Sequence, residues 1–94
     1  MPDQAKVAIH LGKRDRDLLL DERLSFFYPS TCQIIRETPP HQPIELSRSE
    51  WEYIQGCVAG EANHTEDERW ERRLDRVFQK IEDGCYFAAR WGLS

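Results

Sequence analysis

The sequence predicts one α+β domain that is mainly helical, in which a C-terminal antiparallel pair of helices packs against a short strand and a helix from the N-terminal third. Two observations carry this prediction. Residues 44–94 contain two helix-start signals, each followed by apolar residues spaced three and four apart, whereas residues 6–11 alternate between apolar and other side chains. Because 94 residues suffice for a single modest core, we expect residues 1–94 to form one domain.

The first predicted element is a short strand in residues 6–11, with the sequence KVAIHL. Large apolar side chains stand there at every second position, at Val7, Ile9 and Leu11. A period of two is typical of a strand with one buried face. Gly12 is expected to end the strand.

Residues 13–28 are interpreted as a helix, because they are rich in helix formers and several of their apolar residues share one helical side. The residues on that side are Leu20, Leu24, Phe27 and Tyr28. Leu18 and Leu19 lie away from it. A pair of strands that turns at residues 21–23 also fits the stretch, since its apolar residues nearly alternate. In either form, Pro29 is expected to end the element.

A proline-rich connector, residues 37–43, is predicted to separate a mixed N-terminal part, residues 1–36, from the helical part, residues 44–94. Three prolines within five residues favour an extended, polyproline-like segment. Just before the connector, residues 31–37 weakly favour a strand because of their isoleucines.

The connector also contains a formal P-x-x-P core between Pro40 and Pro43, of the kind that aromatic grooves bind in extended form. The nearest basic residue, Arg36, sets a register in which Gln42 stands where a proline belongs. We therefore interpret the segment as a stiff connector rather than a docking motif.

The clearest helix starts at Ser47, which is followed three residues later by Glu50 in the pattern of a capping box. Leu46 and Trp51 are placed to form the hydrophobic staple that accompanies such a start. The helix is predicted from about Arg48 to about Ala62, with one apolar stripe formed by Trp51, Ile54, Val58 and Ala62.

A second helix is predicted after Thr65, because Glu68 repeats the capping-box spacing. Its apolar stripe consists of Trp70, Leu74, Val77, Phe78 and Ile81. We expect this helix to end near Asp83, with Gly84 as its cap, and residues 85–91 to pack back on the core as a strand or helical turn. The turn between the two helices is short, so they should lie antiparallel.

The cysteine pattern suggests neither a disulfide framework nor a thiolate zinc site. Cys32, Cys57 and Cys85 are odd in number, widely spaced and without a C-x-x-C pair. No stretch resembles a signal peptide or a membrane span. We therefore expect a cytoplasmic protein that does not enter a membrane.

Motifs for catalysis and cofactor binding are missing from the sequence. Its five glycines are scattered, so no phosphate-cradling loop or dinucleotide fingerprint is formed, and neither H-E-x-x-H nor G-x-S-x-G occurs. We predict no cofactor and no enzymatic activity.

One cluster deserves weighing as a metal site. Glu61 and His64 have the i, i+3 spacing of carboxylate-bridged metal centres, and Cys57 stands one turn earlier. If Thr65 caps the next helix, the preceding helix has already ended, so we interpret these residues as part of an exposed turn.

The last predicted helix carries five basic residues at i, i+3, i+4, i+7 and i+11, which we call the basic stripe: Arg69, Arg72, Arg73, Arg76 and Lys80. They form one band, about 120° around the helix from the apolar stripe. Like charges four residues apart cost about 0.2–0.5 kcal/mol per pair, so helix stability alone does not select this arrangement.

Three interpretations of the basic stripe remain open: a solvated face, neutralisation inside the fold, or an anionic partner. Neutralisation would use acidic residues of the N-terminal third such as Asp15, Asp17, Asp21 and Glu22. The net charge of −4 opposes nonspecific attraction to nucleic acid, although a local basic patch can override it.

The leading hypothesis is a small nonenzymatic interaction or regulatory domain. It would present the basic stripe, together with exposed aromatics such as Tyr53 or Trp91, to a protein partner or to a second copy of itself. The alternative is a nucleic-acid-associated protein that grips phosphates with the same stripe. A third hypothesis is a metal-dependent enzyme that uses Glu61 and His64.

Overall fold

The described part of the chain is a mainly helical α+β fold. In a computed structural model, residues 6–24 and 29–90 are described, with side chains as far as residue 87. Their elements are β1 (Lys6–Ile9), α1 (Lys13–Leu19), a 3-10 turn (Glu22–Leu24), α2 (Pro29–Glu37), β2 (Ile44–Ser47), α3 (Arg48–His64) and α4 (Glu68–Arg90). The predicted fold class is confirmed.

The two strands form an antiparallel pair. Val7 lies opposite Leu46 and Ile9 opposite Ile44, and all four side chains face the core. The strand predicted at residues 6–11 is therefore present as β1, although it ends at Ile9 and does not reach Gly12. Its partner β2 was not predicted, because a run of four residues directly before a helix carries no signal of its own until β1 pairs with it.

The helical hairpin follows its sequence signals closely. Ser47 and Glu50 form the predicted capping box: the Glu50 amide donates to Ser47 Oγ at 3.2 Å, and the Ser47 amide donates to Glu50 Oε1 at 2.9 Å. Trp51 is fully buried and its indole N–H donates to the Val7 carbonyl at 2.8 Å, which ties α3 to β1. Among the described residues, α3 and α4 make the most extensive contact between two helices.

The start of α4 differs from the prediction by two residues. Asp67, not Thr65, caps the helix, since its Oδ1 accepts from the amides of Arg69 at 3.0 Å and Trp70 at 3.2 Å. Thr65 instead ends α3 and accepts from the Asp67 amide. A capping box between Thr65 and Glu68 was therefore wrong, because both Thr65 and Asp67 suit a cap and the helix begins after the second.

The end of α4 was also predicted wrongly. The helix does not stop near Asp83 but continues to Arg90, so the tail is a helical extension with Cys85 buried in the core. Gly84 lies inside this helix and serves a close contact instead of a cap: a Cβ at that position would stand 2.6 Å from Ile9 Cγ1. Trp91 lies outside the described residues.

In the N-terminal third, the long helix predicted over residues 13–28 is broken. α1 ends at Leu19, and the chain turns through the 3-10 segment, so the competing strand pair is wrong as well. Leu18 and Leu19, which fit the predicted apolar side poorly, are buried together with Leu24. Their burial follows from a change of chain direction that helical periodicity cannot indicate. Phe27 and Tyr28 lie outside the described residues.

Residues 31–37 belong to a helix and not to a strand. Pro29 begins α2 rather than only ending the element before it, which suits a residue whose fixed backbone angle fits the first helical turn and whose missing N–H needs no partner there. Thr31 Oγ1 donates to Glu50 Oε2 at 3.2 Å, and Ile35 is buried. The isoleucines face a core that the sequence does not reveal.

The proline-rich connector is a compact turn, not an extended segment. The Gln42 amide donates to the Pro39 carbonyl at 3.0 Å. Arg16, only 6 % exposed, holds this turn: its guanidinium donates to the carbonyls of Leu11 at 2.9 Å, Thr38 at 2.5 Å and Gln42 at 2.5 Å. Charge-assisted hydrogen bonds of this kind exceed neutral ones in strength, and they explain why the prolines do not extend.

Gly84→Ala is expected to lower the free energy of unfolding by about 1–2 kcal/mol, because the new methyl group overpacks against Ile9. Gly56→Ala on α3 is the matched control, since nothing lies within 4 Å of a Cβ there; its better helix propensity should stabilise by up to about 1 kcal/mol. Urea denaturation of both variants measures the difference. Equal effects would contradict the close contact.

Glu50→Gln is expected to destabilise the fold by about 0.5–1 kcal/mol at neutral pH and by nothing measurable near about pH 3. Burial acts to raise the pKa of Glu50, but hydrogen bonds from Ser47 and Thr31 outweigh it and lower the pKa. With a lowered folded-state pKa, the stabilisation exists above the pKa of the unfolded chain and is lost as pH falls through the folded one.

The control for this pH series is Glu52→Gln, an exposed change on the same helix. Its ion pair with Arg48, at 3.4 Å, is solvated, so it should contribute less than about 0.5 kcal/mol. A Glu50→Gln effect that stayed constant from neutral to acidic pH would show that the carboxylate charge is not what α3 uses.

Candidate anion-binding surface

The basic stripe lies on the exposed side of α4. Four of its members, Arg69, Arg72, Arg73 and Arg76, are exposed, and the fifth, Lys80, keeps 43 % of its side-chain surface. The apolar stripe on the same helix is buried, including Trp70, Leu74, Val77 and Ile81. The basic and apolar stripes therefore lie on different faces of α4, as their spacing in the sequence predicted.

Lys80 is neutralised within the fold, unlike the rest of the stripe. Its Nζ lies 2.5 Å from Oδ2 of Asp15, a carboxylate whose side chain is only 11 % exposed. Of the four acidic residues weighed from the sequence, Asp15 therefore does neutralise a member of the stripe. Asp21 pairs with Arg23 instead, at 3.0 Å. In the described residues neither Asp17 nor Glu22 forms an ion pair.

The remaining arginines of the stripe have little internal compensation. Arg72 lies 3.7 Å from Glu68, but both side chains are more than three quarters exposed, so this pair contributes little. Within residues 6–24 and 29–90, no carboxylate oxygen lies within 4.0 Å of a guanidinium nitrogen of Arg69, Arg73 or Arg76.

Trp70 organises the start of the surface. Its indole N–H donates to Glu61 Oε2 at 3.0 Å. The guanidinium of Arg23 stacks 3.6 Å from the ring centroid, and that of Arg73 lies 5.5 Å away. These cation–π contacts hold two arginines beside a buried ring. The hydrogen bond from Arg23, aided by the charge of Arg73, lowers the pKa of Asp21.

Arg14 joins the surface from another element and was not among the predicted site residues. It is exposed on α1 and shares a cleft of about 60 Å³ with Asp15, Arg73 and Arg76. Within the described ranges no carboxylate lies within 4.0 Å of Arg14 either. The spacing of residues in α4 could not have identified Arg14, because its place on this surface depends on how α1 packs on α4.

The N-terminal segment, residues 9–15, runs beside α4 in the direction opposite to that helix. Ile9 meets Gly84, Asp15 pairs with Lys80, and Arg14 borders the cleft of Arg73 and Arg76. As the N-terminal segment advances, its contacts therefore move back toward the start of α4. This arrangement places Arg14 against the basic stripe and leaves β1 beside the second half of the helix.

The weak metal candidates are placed differently from the prediction. α3 continues through His64, so the helix does not end before it. Glu61 accepts the indole hydrogen bond of Trp70, and Cys57 is half-buried, with burial raising the pKa of its thiol. Among residues 6–24 and 29–90, no group of three or more metal-ligating side chains is close enough to hold an ion.

The cysteines and the helices give two further facts. Cys32, Cys57 and Cys85 are all free thiols, and burial raises the pKa of Cys85. No helix in the described ranges is long and apolar enough to cross a membrane.

Comparison with known proteins gives no relative. No protein-family model matches the chain, and neither curated proteins nor solved structures give a significant match. A function for the chain therefore has to rest on the chemistry of its own surface.

Lys80→Gln is expected to destabilise the fold by about 1–2 kcal/mol, because it leaves the poorly exposed carboxylate of Asp15 without its cation. Arg72→Gln removes the same charge from the same helix, but its solvated pair with Glu68 should contribute less than about 0.5 kcal/mol. Chemical denaturation of both variants separates a structural cation from an exposed one. Identical stabilities would contradict this assignment.

Proposed function

We propose that the protein is a small, nonenzymatic, cytosolic interaction domain that binds an acidic segment of a partner protein. The binding surface comprises the exposed arginines of the basic stripe together with Arg14. The observation that carries the proposal is the cleft in which Arg14, Arg73 and Arg76 meet, with Asp15 already engaged by Lys80.

The uncompensated charge of these arginines supports a partner. Neighbours four apart in the stripe repel one another, at about 0.2–0.5 kcal/mol per pair. The fold adds Arg14 to them, and Asp15, the carboxylate in the same cleft, is already paired with Lys80. An acidic partner segment would remove that repulsion and would gain complementary attraction, which raises association rates and selects against basic partners. Free thiols at all three cysteines agree with a reducing compartment.

The size of the cleft favours a carboxylate as the bound group. At about 60 Å³ the cleft is far smaller than the ~300–1,000 Å³ typical of ligand pockets, so it suits a single small anionic group such as a carboxylate. Arginine suits this role because its planar fork donates two parallel hydrogen bonds to one carboxylate. Glutamate and aspartate side chains of a partner protein supply that group.

The aromatic ring beside the arginines favours protein over single-stranded nucleic acid. The exposed rings of α4, Tyr86 and Phe87, lie near the other end of the helix. Single-strand binding uses exposed rings for base stacking beside the basic groove. Trp70, the ring closest to the arginines, is 3 % exposed and covered by Arg23. Tyr53, the described aromatic proposed earlier as an anchor, is 42 % exposed but lies on α3.

The test is affinity capture from native lysate with a matched pair of double variants. Arg73→Gln with Arg76→Gln removes two charges from the cleft; Arg36→Gln with Arg48→Gln removes two exposed charges from α2 and α3. The cleft variant should lose the captured protein by about tenfold or more, and the control should retain it. Both should keep the free energy of unfolding within about 1 kcal/mol.

Loss of capture in both variants would show that the partner is held by general charge attraction and not by the cleft, which would overturn the proposal. Retention in both would leave the basic stripe as a solvated face and overturn the proposal.

Phosphate binding is the second candidate function, favoured by arginines that also suit phosphate geometry. It is distinguished by nuclease treatment of the same lysate and by salt titration of a duplex probe. Nucleic-acid binding through these residues would show a log-log salt slope of about 0.7–0.9 per phosphate engaged. Capture that survives nuclease, with no such slope, supports the protein partner.

A further inference from the structure

Beside the basic surface lies a groove between β1 and the second half of α4. Its volume is about 540 Å³, which is within the range of ~300–1,000 Å³ for ligand sites. The apolar part of its wall is formed by Val7, Ala8, Ile9 and Phe87. Gly84 also lines it, at the point where Ile9 packs closely against α4.

All four residues of β1, and His10 directly after it, line the groove. Successive side chains of a strand point to opposite faces, so consecutive residues cannot all line one groove with their side chains. They line it through the backbone edge of the strand. In the described chain, β2 is the one strand paired with β1. The edge of a strand with a neighbour on one side only is where an extended peptide adds by main-chain hydrogen bonds.

The groove continues into the basic surface through Lys80. Lys80 lines the groove and stands one helical turn after Arg76, which lines the arginine cleft. Lys6 adds a second lysine to the groove wall, and the acidic residue lining it is Asp83. An occupant therefore meets apolar surface beside β1 and positive charge toward the start of α4.

We propose that the partner segment is an extended peptide whose one half is apolar and β-forming and whose other half is acidic. The apolar half lies in the groove along β1, and the acidic half contacts the arginine cleft and the basic stripe. This inference rests on the proposed function and specifies its ligand. It is carried by the charge complementarity of the arginine cleft and by the position of the groove one helical turn further along α4, at Lys80.

The length of the segment follows from helix geometry. From Arg69 to Phe87 the helix advances about 27 Å at 1.5 Å per residue. An extended chain covers that distance with about eight residues at ~3.3 Å each. About four residues would lie beside β1 and about four against the arginines.

The probe is a fluorescein-labelled peptide of about eight residues, with alternating valine and threonine in one half and glutamates in the other. It is made in both sequence orders, because the strand can be joined in either direction. A peptide with glycine and serine in place of the apolar half has equal length and charge. Fluorescence anisotropy is measured with the full-length protein.

Ala8→Trp fills the groove from an exposed position on a strand, where tryptophan is well accepted. It should weaken binding of the mixed peptide by about tenfold or more, to the level of the glycine–serine peptide. Gln33→Trp, an exposed change on α2, is the matched control and should have no effect. If Ala8→Trp fails to fold, Ala8→Glu places a charge against the apolar half of the peptide in the same groove.

The outcomes separate the two proposals. Weakening by Ala8→Trp, together with loss of both peptides in the Arg73→Gln, Arg76→Gln variant, supports the extended ligand. If only the arginine variant weakens binding, or if the mixed and glycine–serine peptides bind equally, the groove inference is overturned and the arginine surface stands. If the arginine variant has no effect, the proposed function itself fails.

A second copy of the chain is the competing occupant. In that case sedimentation of the wild-type protein would show a dimer that Ala8→Trp converts to a monomer. That result, with no binding of the mixed peptide, would overturn a peptide ligand.

Discussion

The contact between Ile9 and Gly84 is the constraint on which the rest of this arrangement depends. A Cβ at position 84 would stand 2.6 Å from Ile9 Cγ1, so the glycine lets the Ile9 side chain of β1 pack closely against α4. From this contact the chain runs back along the helix. It brings Asp15 to Lys80 and Arg14 to the arginines of α4, and it leaves a groove beside the strand. Packing of the core thus determines which charges meet on the surface.

The protein uses its arginines in two opposite ways. Arg16 is buried among the carbonyls of Leu11, Thr38 and Gln42, where its five donors can satisfy backbone groups of a turn that forms no regular structure. The exposed arginines of the basic stripe face solvent and repel one another, and this repulsion does not stabilise the fold. The same residue type therefore has a structural role in one place and forms the proposed binding surface in the other, and burial distinguishes the two.

The parts of the fold that could be predicted are those with local signals. The capping box at Ser47, the apolar stripes of α3 and α4 and the alternation in β1 each lie within a few consecutive residues, and each was read correctly. The elements that failed, namely β2, α2 and the turn after α1, depend on contacts between residues far apart in sequence. Gly84 illustrates the limit: a glycine near the predicted end of a helix indicates a cap, and only the position of Ile9 shows that it serves a close approach.

For the candidate site, the basic stripe could be predicted from its spacing. The positions of Arg14 and of the ion pair between Lys80 and Asp15 could not, because both depend on the packing of α1.

The central claim is that anionic protein segments bind where α1 meets α4. An NMR titration of isotope-labelled protein with an unlabelled polyglutamate peptide tests it most directly, because each backbone amide reports separately. Binding at this surface predicts shift changes concentrated at residues 14–15 and 69–80, which saturate with peptide and weaken with added salt. Changes centred on α2 or on the outer side of α3, or none at all at low salt, would contradict it.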